Sequence, residues 1–136
     1  MKVVIIDGQG GRMGQLLVEK IKESKIPCEL IAIGTNSIAT SAMLKAGADA
    51  GATGENPVIV ACRDADVIVG PVGIIAADSL MGEITSAMAN AVSACSAVKL
   101  LLPVNLCKKI VVGTGNKTLS SLVEEAVEQL KELCLK

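Results

Sequence analysis

Short runs of aliphatic and β-branched residues alternate with stretches of helical periodicity along this chain, and that alternation restricts its fold more than any other feature. A run over 2–6 is followed by a helical pattern over 12–24, and a run over 28–33 by a second pattern that ends near Lys45. Pro27 separates the first helix from the second strand. Such an order is typical of strands that lie parallel in one sheet with helices on both faces.

The later segments continue this order. Residues 48–54 are small and rich in Gly, and form either a short third strand or a loop. Asn56 before Pro57 predicts a helix to about residue 64, and the runs at 66–70, 98–104 and 109–112 predict buried strands. Residues 76–97 predict a helix, either continuous or broken near Gly82, and an amphipathic helix is predicted from about Thr118. We therefore predict one α/β domain over 1–136, a doubly wound, mostly parallel, Rossmann-like sheet of about five or six strands.

The composition excludes several classes of function. Thirteen basic and 14 acidic side chains leave a net charge of −1, and Phe, Tyr and Trp are absent. Such a chain has neither the positive field nor the aromatic platforms with which proteins hold nucleic acids. Five scattered cysteines without a histidine match neither zinc-ligand spacing nor a disulfide framework, and no stretch is apolar enough to cross a bilayer. We expect a cytoplasmic protein without a metal site that binds neither nucleic acid nor membrane.

A glycine-rich loop at 7–14 lies between the first strand and the first helix. Its glycines form a G-x-x-G-x-x-G pattern, and the amides at the following helix start favour a phosphate group. The alternative is a turn that needs glycine for steric reasons alone. The cofactor contacts predicted in this loop are Gly8, Gln9, Gly10, Gly11, Arg12, Met13 and Gly14.

Thr35, Asn36 and Ser37 follow the second strand, where a dinucleotide site normally has an acidic residue for the ribose hydroxyls. Uncharged donors tolerate a 2′-phosphate, so these residues favour NADP over NAD. The alternative is an ordinary helix N-cap.

Further site residues are predicted where the later strands end, because open α/β sheets bind ligands at the carboxyl ends of their strands. After the fourth strand these are Gly70, Pro71 and Gly73. Asn105 follows the fifth strand and either binds a carboxamide or sugar or begins the turn before Lys108.

The acidic and thiol side chains near these positions have no assigned catalytic role. We expect Asp7 to cap backbone amides in a tight turn, with a Mg²⁺ ligand as the alternative. Asp78 and Glu83 lie in an otherwise uncharged segment and are expected in solvent or at a helix cap. Without His or Tyr, a proton donor would have to come from these carboxyl groups, from Lys108 or from Cys107.

Two resemblances accompany these motifs. Gly11-Arg12-Met13-Gly14, preceded by Gly8, resembles the nucleotide loop of dihydrodipicolinate reductase, and the resemblance covers about fifteen residues. It implies that Gly8, Gly11 and Gly14 line a pyrophosphate, which the amides of Arg12 and Met13 contact. Across nearly its full length the chain is similar to a family of short, uncharacterised bacterial Rossmann-like proteins, which implies the fold but no activity. The second resemblance rests on the segments Asp7-Gly8-Gln9-Gly10-Gly11, 34–40, 46–56 and 77–84.

The sequence therefore predicts a small nucleotide-binding protein that acts as a binding or sensing module and takes NADP or NAD on its glycine loop. A second hypothesis is an NAD(P)-dependent oxidoreductase that works as a homo-oligomer. A third is a structural or interaction protein whose glycine loop is empty. The Ala and Ser content of 76–97 suits either a buried helix or a subunit interface, so a homo-oligomer stays open.

Overall fold

The computed structural model of the protein describes residues 1–104, 106 and 108–135. Strands and helices alternate in it from the first element to the last. In chain order they are β1 (Lys2–Asp7), α1 (Arg12–Glu23), β2 (Glu29–Gly34), α2 (Ser37–Ala46), β3 (Ala50–Thr53), α3 (Glu55–Cys62), β4 (Val67–Pro71), a 3₁₀ turn (Val72–Ile75), α4 (Ser86–Ala94), β5 (Val98–Leu102) and α5 (Leu119–Cys134).

The five strands form one sheet in the order β3-β2-β1-β4-β5, and every pair is parallel. Strand β1 is central, with Val3 in register with Leu30 of β2 on one side and with Val67 of β4 on the other. The chain reverses its direction across the sheet between β1 and β4, which is the point where doubly wound folds open a ligand crevice. The predicted α/β class with a parallel sheet is confirmed.

Each face of the sheet has its own apolar core. Alternate residues of β1 divide between the two faces because side chains of a strand point to opposite sides. Val3 and Ile5 pack with α1, α2 and α5, and Val4 and Ile6 pack with α3 and α4. Both cores are built from aliphatic side chains and methionine, with Cys62 in the core of the second face, so these side chains fill the space that aromatic rings fill in other domains.

Two predicted elements differ from the structure. Residues 76–85 are not helical, because Leu80, Met81 and Gly82 have φ values of 56°, 55° and 88°, which a right-handed helix excludes. Helix α4 begins only at Ser86, after the Thr85 hydroxyl accepts the Met88 amide.

The run predicted as a sixth strand, 109–112, lies in a loop, and its Ile110 and Val112 side chains are 90% and 91% exposed.

The segment 48–54, for which both a strand and a loop were open, contains the strand β3. Helix α3 is capped by Gly54 rather than by Asn56. Among the described residues, no helix combines the length and the apolar character needed to cross a bilayer.

Candidate functional site

The glycine loop connects the end of β1 to the start of α1 in a tight turn. The Gly11 amide donates to the Gly8 carbonyl at 3.0 Å, and Gly11 has a φ of 75° where it caps α1. Residues with a side chain rarely adopt this left-handed conformation, so the turn itself requires glycine at that position.

Gly11 and Gly14 also allow α2 to pack closely on α1. A Cβ at Gly11 would lie 2.7 Å from the Ala39 Cα, and one at Gly14 would lie 2.5 Å from the Met43 Sδ. Both distances are shorter than van der Waals contact. These two glycines therefore make room for the protein's own helix rather than for a ligand.

Gly8 is enclosed as well, whereas Gly10 is open. A Cβ at Gly8 would lie 2.5 Å from the Thr35 Oγ1 and 2.6 Å from the Glu83 Oε1. No atom of the described residues lies within 4 Å of the Cβ position of Gly10, which is exposed. Of the four loop glycines, only Gly10 leaves space for another molecule.

Asp7 is buried at the base of this loop. Its Oδ1 accepts the Gly8 amide at 2.8 Å and its Oδ2 accepts the Gly14 amide at 2.7 Å. Burial raises the pKa of the Asp7 carboxyl, the two amides oppose that rise, and the nearby charge of Glu83 adds to it. Asp7 therefore caps backbone amides, as its position in the turn predicts.

Glu83 reaches the same loop from the segment between β4 and α4. Its Oε1 accepts the Gln9 amide at 2.6 Å and the Thr35 hydroxyl at 3.0 Å, and its Oε2 accepts the Asn36 Nδ2 at 2.9 Å. Partial burial acts to raise the pKa of Glu83, but the three hydrogen bonds outweigh it and lower the pKa. One carboxylate thus joins the loops that follow β1, β2 and β4.

The expectation that Glu83 lies in solvent or at a helix cap is wrong, because its carboxylate accepts three hydrogen bonds from two other loops. The available signal is a segment of mostly neutral residues that holds only two acidic ones, Asp78 and Glu83. An acidic residue has to be paired if it is buried. The partners of Glu83 lie 47 to 74 positions away and become visible only when the sheet order is known.

The residues after β2 serve the fold directly. Asn36 caps α2 by accepting the Ala39 amide at 2.9 Å, and its Nδ2 also donates to the Gln9 carbonyl at 2.9 Å. Ser37 is the exposed first residue of α2. The N-cap alternative is therefore correct for Asn36, and its remaining hydrogen-bonding groups face the protein's own loops.

An open cavity of about 290 Å³ lies on the side of the glycine loop that faces β5. It is lined by residues 7–13, by Val104 after β5 and by Leu119 at the start of α5. Within the described residues, no protein atom accepts the backbone N–H groups of Arg12 and Met13, and the side chain of Arg12 forms no ion pair.

The start of α5 adds further donors. Thr118 caps this helix by accepting the Ser121 amide at 3.1 Å. In the described part of the chain the N–H groups of Leu119 and Ser120 have no acceptor. Two helix N-termini, each with a partial positive charge, therefore border one cavity.

The residues predicted after β4 are not among those that line this cavity. Gly70, Pro71 and Gly73 are buried, and a Cβ at Gly70 would meet the Ile6 carbonyl oxygen at 2.5 Å. Close packing of β4 accounts for that glycine. Asn105 and Cys107 lie outside the described residues, so their predicted roles stay predictions.

Comparisons with known proteins give a family and a distant structural likeness. The family described as "Domain of unknown function (DUF3842)" matches residues 2–135, and none of the curated proteins matches. The chain is similar to a crystal structure of a dodecameric FMN-dependent UbiX-like decarboxylase from Escherichia coli O157:H7. Identity is 15%, the TM-score is 0.43, and the alignment covers 98% of this chain and 93% of that one.

The prediction of NADP or NAD as the cofactor is wrong. The similar solved structure is described as FMN-dependent rather than nicotinamide-dependent. The geometry gives a separate reason, because the Glu83 carboxylate fills the space over Gly8 and holds the Gln9 amide that a pyrophosphate would need. The resemblance to dihydrodipicolinate reductase is limited to the glycine loop, and the comparisons do not extend it to the rest of the chain.

Proposed function

We propose a function for this chain, which belongs to the family described as Domain of unknown function (DUF3842): it binds a compact phosphate-bearing molecule of mononucleotide size. The observation that carries the proposal is the cavity of about 290 Å³ between the starts of α1 and α5. The protein acts in this role as a binding or sensing module.

The donors around the cavity fit a phosphate group. The amides of Arg12, Met13 and Leu119 lack acceptors within the described residues, and the exposed guanidinium of Arg12 stands beside them. A helix start contributes about 0.3–1 kcal/mol towards a bound anion, and a charged arginine contact contributes more. A doubly charged group with several acceptor oxygens satisfies such donors best.

The loop after β4 sets the size of the ligand. Leu80 and Glu83 close the space above Gly8, so the crevice is open towards β5 and shut towards β2. The cavity volume lies at the lower end of the range for small-molecule sites, about 300–1,000 Å³. A mononucleotide or sugar phosphate is therefore favoured over a dinucleotide.

Asp7 lines the same cavity, and its charge opposes an anion there. Both of its oxygens accept backbone amides, which keeps the carboxylate directed into the turn. The ligand phosphate accordingly belongs at the Arg12 side of the cavity, away from Asp7.

The test is a titration of the purified protein with inorganic phosphate, AMP, FMN and NADPH by isothermal calorimetry. Because the chain has no aromatic residue, absorbance near 260 nm also reports any nucleotide retained through purification. We expect phosphate and the two mononucleotides to bind, and NADPH to bind no more tightly than AMP. Absence of phosphate and mononucleotide binding would reject the proposed function.

Two matched pairs of variants locate the site. Gly10→Asp places a carboxylate in open space at the cavity, and Gly10→Asn places the same shape there without the charge. A charge about 4 Å from the phosphate costs about 1–4 kcal/mol, so we expect at least a fivefold lower affinity in Gly10→Asp than in Gly10→Asn. Arg12→Gln should weaken binding, and Arg63→Gln, at an exposed arginine remote from the cavity, should not.

A second candidate function is that of an interaction protein. The specific observation in its favour is the exposure of Ile110 and Val112 in the loop after β5. If the protein binds no anion but binds another protein through this exposed apolar loop, this candidate is favoured over the first.

A further inference from the structure

Two cysteine thiols contact each other in the core that α3 and α4 form on one face of the sheet. Cys62 is the last residue of α3 and is 4% exposed, and Cys95 follows the last residue of α4 and is half-buried. Both pack in the same apolar core, and a side-chain hydrogen bond joins their sulfur atoms. The fold thus places two oxidisable groups side by side, although they lie far apart in the sequence.

The backbone at Cys95 allows its sulfur to move. Cys95 has a φ of −73° and a ψ of 164°, which is extended rather than helical, and the next residue, Ser96, is exposed. A disulfide bond is about 2.05 Å long, so two thiols in hydrogen-bond contact have to come closer before they bond. A shift of Cys95 provides that approach without unwinding α4, because this residue lies beyond the helical turns.

The two thiols differ in their access to an outside reagent. Burial raises the pKa of Cys62 to about 11, and the nearby charge of Lys99 opposes this rise. The Lys99 Nζ donates to the Cys95 carbonyl at 2.5 Å, so a positive charge is held beside the pair. Cys95 is the more exposed thiol and meets a reagent first. In the described part of the chain no third acidic or thiol side chain joins the pair to hold a metal ion.

We propose that Cys62 and Cys95 form a redox site, which a low-molecular-weight disulfide oxidises to a disulfide bond between α3 and α4. In the first step the Cys95 thiolate attacks one sulfur of the reagent, whose S–S bond breaks. A mixed disulfide forms on Cys95, and one reagent thiol leaves with the proton that Cys95 lost.

In the second step the Cys62 sulfur attacks the Cys95 sulfur and displaces the second reagent thiol, which takes the Cys62 proton. The two cysteines are thereby oxidised, and the reagent gains two electrons. Because the thiols are already in contact, this step is intramolecular and faster than exchange with another molecule. The redox site does not depend on the proposed anion site.

The first test is peptide mapping of the full chain after incubation with glutathione disulfide. Trypsin cleaves after Lys45, Arg63 and Lys99, so Cys62 and Cys95 lie in the separate peptides 46–63 and 64–99. We expect mass spectrometry to find these two peptides joined, and two of the five thiols to be lost in the folded protein. The chain unfolded in urea should give several pairings instead.

Variants separate the two steps. In Cys62→Ala the second step is blocked, so Cys95 should keep glutathione as a mixed disulfide at a level at least tenfold higher than in the wild type. Cys28→Ala is the matched control, because it removes another partly buried thiol, and it should form the same linked peptides as the wild type. Circular dichroism checks that both variants are folded, and the wild-type peptide map decides the proposal if Cys62→Ala is not.

The oxidised protein should also be more stable. The bond constrains the unfolded chain, so we expect the melting temperature to rise by at least about 5 °C and to return after reduction with dithiothreitol. Failure of the folded wild type to join 46–63 to 64–99, or the same mixture of pairings with and without urea, would overturn the proposal. Joined peptides with no mixed disulfide in folded Cys62→Ala would overturn the order of the steps.

Discussion

Replacement of Glu83 by glutamine tests the junction of three loops on which the closed side of the crevice depends. In Glu83→Gln the remaining carbonyl oxygen can still accept the Gln9 amide and the Thr35 hydroxyl. The new NH₂ group then faces the Asn36 Nδ2, so two N–H donors lie opposite each other where the Glu83 Oε2 accepts the Asn36 Nδ2 at 2.9 Å in the wild type. One hydrogen bond to a charged acceptor is lost and two others become neutral.

The expected loss follows from these contacts. Hydrogen bonds to charged groups contribute roughly 1.5–3 kcal/mol each, and neutral ones about 1 kcal/mol. Glu83 is partly exposed, so hydrogen bonds to water replace part of the lost hydrogen bonding. We therefore expect a decrease of about 2 kcal/mol in the free energy of unfolding. For 136 residues this corresponds to a melting temperature about 7 °C lower.

The pH dependence gives an independent check. The pKa of Glu83 is lowered in the folded protein, so its stabilising contribution is present above the pKa of an unfolded glutamate and is lost as the pH falls through the folded value. The difference in stability between wild type and Glu83→Gln should therefore shrink below about pH 4.3. Asp7 titrates in both proteins, and its contribution cancels in that difference except for the small part of its raised pKa that comes from the Glu83 charge.

Far-ultraviolet circular dichroism during thermal and urea unfolding is the appropriate assay, because the chain has no tryptophan or tyrosine to report unfolding by fluorescence. Glu55→Gln is the matched control, since the Glu55 Oε1 accepts the Thr85 hydroxyl at 2.5 Å on an exposed surface. We expect it to cost less than about 1 kcal/mol. Equal losses in the two variants, or a difference that stays constant down to acid pH, would refute the role assigned to Glu83.

Three further predictions address the loop and the core. Gly14→Ala should lower the free energy of unfolding by about 1–3 kcal/mol, although alanine favours helices, because the new Cβ meets Met43. A double-mutant cycle with Met43→Ala should show a coupling energy of at least about 1 kcal/mol between the two positions. Burial raises the pKa of Cys62 to about 11, so iodoacetamide at pH 8 should modify it more slowly than the half-buried Cys95 when both are followed by mass spectrometry. The raised pKa of Asp7 means that its own contribution to wild-type stability falls as the pH rises from the unfolded pKa through the folded one, and the difference in stability between wild type and Asp7→Asn, taken from denaturation curves, should show that decline.

The sheet could be predicted from sequence because its strands are buried on both faces. Val3, Val4, Ile5 and Ile6 are fully buried, so the strand appears as a continuous aliphatic run that a helix or loop of this length seldom has. The same local rule fails at Ile110, where a β-branched run has no neighbouring strand within the described residues. Strand propensity is a local property, and strand pairing is a tertiary one.

The segment at 76–85 shows a second limit of local reasoning. Its alanines and serine favour a helix, yet Leu80 and Ile84 are each 1% exposed and anchor the segment over the sheet. The Ser79 hydroxyl donates to the carbonyls of Gly73 and Ala76, which holds the turn from within. Burial of two side chains at this spacing outweighs helix propensity, because propensity differences are only a few tenths of a kcal/mol per residue.

Within the site, the sequence locates the glycine loop but not what fills it. The spacing of the glycines is the same whether the space beside a glycine is filled by a phosphate or by the protein's own Met43 or Glu83. The open cavity at Gly10 depends on Leu119, more than 100 positions later, whose place follows from the return of α5 beside α1. Contacts of that separation are set by topology and leave no local pattern.

The central position of β1 also orders the events of folding. Its partner β2 is 27 positions away at Val3, whereas β4 is 64 positions away, and closing the longer loop has the larger entropic cost. We therefore expect β1, α1 and β2 to assemble first and β4 to dock afterwards onto a strand that is already half paired. During that interval the middle of the future sheet is an exposed apolar edge, so a mutation that delays β4 would promote misassembly between nascent chains before it altered the finished protein.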